Sequence, residues 1–110
     1  NFSLTVFFEM IFPEVMQRQL TQGHTHLYTS QSLDWLAKEF NMRQVAAWWF
    51  GADMIDLFRN VTVELKKNPE TSNMVESWAK LFAPLIDTMQ LEIDKKHLAS
   101  EVHILFQLKH

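Results

Sequence analysis

Two stretches of this chain have the pattern of β-strands, and about 50 mostly helix-patterned residues lie between them. The first, RQVAAWWFG, carries no polar residue from Val45 to Phe50 and closes on Gly51. Such an unbroken apolar run reads as a strand buried on both faces. The second fills the last ten residues and alternates, with Val102, Ile104, Phe106 and Leu108 on one side and His103, Leu105, Gln107 and Lys109 on the other. That is a strand with one strongly apolar face. Two strands do not make a sheet that stands alone. Either helices cover the pair, or its open edges join another polypeptide. The expected class is therefore α+β and mostly helical, a single domain over residues 1–110 with several helices packed on a short antiparallel strand pair.

The helices can be placed from spacing and punctuation. Residues 2–20 read as helix with a break at Pro13 and a hinge at Phe12, because proline lacks an amide donor and disfavours helix in the residue before it. Residues 21–28 form a loop in which Gly23 is the candidate for a positive φ. Thr29 or Ser30 can cap a helix running to about Phe40, where Leu33, Leu36, Ala37 and Phe40 share one face and Asn41 ends the element. Asp53 is the expected cap of the next helix, whose stripe of Met54, Leu57, Phe58, Val61 and Leu65 stops before Asn68 and Pro69. A longer helix from about Thr71 carries Met74, Trp78, Leu81, Phe82, Leu85 and Met89, with a kink expected at Pro84 and a solvated end through Asp94 to Lys96.

Composition narrows the function. Nine Phe and four Trp in 110 residues supply a core and argue against disorder. A net charge of −3 with both signs mixed along the chain offers no basic stripe for nucleic acid. The absence of cysteine removes disulfides and thiolate chemistry and fits a reducing, cytoplasmic compartment. The apolar run FSLTVFFEMIF is about 11 residues against the roughly 20 that span a bilayer, and Glu9 interrupts it, so no membrane association is expected. With Gly23 and Gly51 as the only glycines, neither a Walker loop nor a dinucleotide-binding loop can be built here.

The residues able to do chemistry cluster before the second helix. His24 and His26 can offer two metal ligands from an extended loop, with His103 as a distant third, but no motif completes the set. Either can instead exchange a proton near neutrality, with Tyr28 adding a hydroxyl, or simply brace the turn through backbone hydrogen bonds. Trp48, Trp49 and Trp78 read as core, since neighbouring strand residues point to opposite faces and cannot wall one binding site together. Asp53 and Asp56 share a helical face, where capping and a first-turn role account for both.

The segment HTHLYTSQSLDWLAKEFNMRQVAAWWFG resembles the late part of class I S-adenosylmethionine-dependent methyltransferases, in which a His, an aromatic, a Thr and a Ser-Leu-x-x-Leu helix lead into the sixth strand of the sheet. His26, Tyr28, Thr29, Ser32, Leu33 and Leu36 match that pattern. The ending LASEVHILFQLKH is similar to the seventh, antiparallel strand. The resemblance implies the C-terminal part of a Rossmann-like fold: a helical lid over residues 1–22, a loop, helix and strand over 23–51, a helical insertion over 52–98 and a final strand over 99–110. It further implies a substrate-side role for His24 and Tyr28, with His26 orienting or deprotonating a small-molecule methyl acceptor. The glycine-rich loop and acidic residue that hold S-adenosylmethionine have no counterpart, so this chain is expected to lack a cofactor of its own and to be inactive without a missing N-terminal half. Open strand edges and the apolar Phe2, Phe7, Phe8 and Phe12 make a homo-oligomer, expected as a dimer, the further partner. The competing reading is a non-enzymatic helical module that binds another protein.

Overall fold

The computed structural model describes residues 3–14, 26 and 28–110. Helix α1 (Leu4–Ile11) ends at Phe12, whose φ of −121° and ψ of 57° leave helical space immediately before Pro13. The helix thus ends where proline sterics require it. The expected continuation of this helix past Pro13, and the loop with Gly23 and His24, lie outside the described residues. Helix α2 (Ser30–Glu39) starts on a reciprocal capping box: Thr29 Oγ1 accepts from the Ser32 amide at 3.1 Å, and Ser32 Oγ accepts from the Thr29 amide at 2.9 Å. Two amide donors at the start of α2 are thereby satisfied without tertiary help. Asn41 ends the element in a left-handed conformation with φ 49°, and its Nδ2 donates to the Lys109 carbonyl at 3.0 Å.

Strand β1 (Met42–Phe50) pairs antiparallel with β2 (Glu101–Leu108), with Met42 opposite Leu108, Trp48 opposite His103 and Trp49 opposite Val102. A bulge at Val45 shifts the register between Gln44 and Ala46. Residues opposite one another share a face, so Ala47, Trp49, Val102 and Ile104 line one side and Ala46, Trp48, His103 and Leu105 the other. The first side is half-buried, whereas Trp48 remains 53% exposed and Val45 45% exposed. This corrects the expectation of a strand buried on both faces, and of Trp48 as core. A face is buried only where a second layer lies on it, and the described helices leave the Trp48 side open.

Between the strands run α3 (Asp53–Lys67), α4 (Val75–Phe82) and α5 (Ile86–Lys95), with a single 3₁₀ turn at Ser72–Met74 and another at Ala83–Leu85. Pro84 sits in the second of these turns, which is how the expected kink is realised. Ala52, not Asp53, occupies the cap position of α3, and Asp53 makes no capping bond. Trp78 is half-buried rather than fully enclosed; its ring stacks on Phe82 at 4.4 Å and on Phe58 at 5.9 Å, and its indole N–H donates to the Phe58 carbonyl at 3.3 Å. Phe8 and Met54 form the buried apolar centre, with Leu4, Phe12, Leu57, Phe82, Ile86 and Ile93 packed around it. No described helix is long and apolar enough to cross a membrane.

Candidate functional site

The capping box that starts α2 also presents the residues just ahead of it. His26 and Tyr28 are both exposed, and their rings lie nearly parallel, 19° apart with centroids at 6.2 Å. Thr29 is anchored immediately behind them by its three bonds to Ser32. An imidazole and a phenol hydroxyl therefore share one exposed ledge at the start of α2. His24, the second imidazole expected there, lies outside the described residues.

Two further histidines, His97 and His103, pack against aromatic rings. His103 meets Phe50 edge-on at 4.5 Å and Trp48 edge-on at 5.1 Å on the open face of the sheet. His97 lies flat on Trp49, 10° from parallel at 3.6 Å, with a left-handed φ of 57°. Among the described residues, no three His, Asp or Glu side chains converge as a metal ion requires.

The most enclosed polar group is Asp53, which is fully buried. Its Oδ1 accepts from the Thr5 hydroxyl at 3.3 Å, and its Oδ2 accepts from Gln90 Nε2 at 3.1 Å and from the Ser100 amide at 3.2 Å. Gln90 in turn accepts from the Met54 amide at 2.9 Å and donates to Asp94 Oδ1 at 2.7 Å. Asp94 is therefore half-buried, not part of a solvated helix end as its polar surroundings suggest. Asp56 and Asn60, one and two turns further along α3, are buried as well. This network was not anticipated from sequence. The available signals were Thr5 as a polar residue on the same face as Phe8 in an apolar helix, and a glycine two positions before an aspartate. A Cβ at Gly51 would stand 2.5 Å from Asp53 Oδ2, so the absence of a side chain there is what admits the carboxylate.

At the far end of the sheet an open depression is lined by Arg43, Gln107, Leu108, Lys109 and His110. Arg43 is already engaged, donating from Nε and Nη2 to Gln107 Oε1 at 3.1 and 2.7 Å. No protein-family model matches the chain, and no match is found among curated proteins or solved structures.

Proposed function

We propose that this chain is the C-terminal, acceptor-side portion of an S-adenosylmethionine-dependent methyltransferase, with His26 as the acceptor's proton carrier and Tyr28 as its orienting neighbour. The observation that carries the reading is the antiparallel pairing of β1 with β2 across a long helical insertion. That is the relation which the resemblance requires between a sixth strand and a seventh. The two-stranded sheet supports it too, since among the described residues each strand pairs on one edge only, and further strands can add at the other. The residues here do not fit the methyl donor: Gly23 and Gly51 cannot form a glycine-rich cradle. On this reading, donor binding falls to residues outside these 110. His26 and Tyr28 are placed at the start of α2, where an exposed imidazole can take the proton from an acceptor hydroxyl or amine.

The test uses the full-length gene product. His26→Ala is expected to lower kcat about 10²- to 10⁴-fold, the usual range for losing a general base. Affinity for S-adenosylmethionine should stay unchanged. Undiminished turnover by that variant would remove His26 from the mechanism, and a full-length product with no affinity for the donor would remove the enzyme class.

A second reading, a non-enzymatic module that binds another protein, draws on the exposed apolar side chains of the insertion. Met74, Leu81, Leu85 and Leu91 face solvent along the 3₁₀ turns, α4 and α5. The same full-length product separates the two, because a binding module turns over no donor.

A further inference from the structure

The two oxygens of Asp53 serve different parts of the molecule. Oδ2 accepts from Gln90 on α5 and from the amide of Ser100 just before β2, while Oδ1 takes the hydroxyl of Thr5 on α1. We propose that α1 is a separable cover, held in its docked position by a latch of Thr5 on Asp53 Oδ1 and Phe8 on Met54, while Oδ2 belongs to a permanent brace.

Three observations support this division. First, α1 is eight residues long and rests chiefly on α3. A helix of that length has little stability of its own, so docking and helix formation are coupled. Second, its two sides differ in exposure: Met10 and Ile11 are exposed, whereas Thr5 and Phe8 are buried. Third, lifting α1 leaves every bond of Oδ2 and Gln90 in place. At Asp53 it exchanges the Thr5 hydroxyl for water at Oδ1, an exchange nearly balanced in free energy, and the exposed Lys67–Glu14 pair just past α1 adds little. The polar half of the latch therefore sets where α1 docks without locking it there. The apolar half, Phe8 on Met54 with Leu4 and Phe12 beside them, supplies the preference for the docked position. Opening is then a local event, with α3, α5 and the strand pair remaining folded.

The consequence for catalysis, that α1 gates the acceptor side, rests on the methyltransferase reading; the latch does not. Amide hydrogen exchange on this chain tests the latch directly. Thr5→Val keeps the shape and removes the donor, and leaves Oδ1 facing a methyl group when α1 is docked. Exchange at the Phe8 amide within α1 and the Phe12 amide that caps it should quicken roughly tenfold, with α3, α5 and β2 unchanged. Thr5→Ser should restore the original rates, and Phe8→Ala should open α1 through the other half of the latch with the same selectivity. Unchanged exchange on α1 in Thr5→Val would overturn the proposal. So would equal acceleration of α3 and α5, which would make the bond part of an undivided core. In the full-length product, faster exchange on α1 with unaltered kcat and KM would keep the latch and discard the gate.

Discussion

Gly51 and Asp53 illustrate how one missing side chain makes room for a buried carboxyl group. The carboxylate cannot swing away from a new Cβ, because Thr5, Gln90 and the Ser100 amide hold both oxygens. Ser100 Oγ would also lie 3.0 Å from that Cβ. Gly51→Ala is therefore expected to cost about 1–3 kcal/mol through overpacking, read as a lower urea midpoint with an unchanged slope. His97 shows the opposite bargain. Its left-handed backbone costs on the order of 1 kcal/mol, and the flat contact with Trp49 offsets that cost. Asn41, the residue type that tolerates this conformation best after glycine, was legible in the sequence as the terminator of α2. Asp53 was not. An aspartate at a helix start reads as a cap, and only its burial against α1 and α5 shows that its oxygens point elsewhere.

Among the elements, α2 and the insertion are built on different principles. Helix α2 has no buried residue, so its start depends on local chemistry. Removing the Thr29 hydroxyl by Thr29→Ala should cost about 1 kcal/mol, seen as lost helicity and faster exchange over the first turn of α2. On the proposed function, the same change loosens the ledge that carries Tyr28 and His26. Helices α3 and α4 instead rely on stacked rings, Phe58 with Trp78 and Phe82, and their amphipathic spacing made that seam readable in advance. Lys67, at the end of α3, donates to Glu64 at 2.8 Å and to Glu14 at 3.2 Å. The bond to Glu64 raises the lysine's pKa most, desolvation lowers it by less, and the bond to Glu14 adds a still smaller rise. Its contribution is thus complete at neutral pH and is lost only as pH rises through the raised value. Salt should weaken it, since all three groups are exposed.

The molecule as a whole is extended for its length. Its radius of gyration is 17.5 Å, against about 13 Å for a compact chain of 110 residues. Large apolar side chains remain at the surface on α1, on the insertion and on the Trp48 face of the sheet. Such a surface favours association. The 110-residue chain is expected to self-associate at high micromolar concentration in light scattering, with a dimer as the first species. Replacing Val45 and Trp48 by lysine, on the open side of the strand pair, should shift the mass towards the 13.0 kDa monomer. A monomer at that concentration for the unaltered chain would show that the exposed face is tolerated alone.

What could be read from the residues was most of what neighbours along the chain govern: the break at Pro13, the cap at Thr29, the stripe of α3, the turn at Pro84 and the alternation of β2. Periodicity, capping and proline sterics act within a few residues, so the local sequence contains their causes. Burial depends on what arrives from far away. Alternating or continuous apolar residues mark which face is able to be buried, and only the packed layers show that the Trp49 side is covered while the Trp48 side is not. The same holds for Asp53, whose partners lie 37 to 48 residues away in sequence. For the candidate site, the pairing of His26 with Tyr28 ahead of a capped helix was visible in the order of residues, because three positions and one capping box define it. The division of Asp53 between a brace and a latch was not, because it arises where α1, α3, α5 and the approach to β2 meet in space.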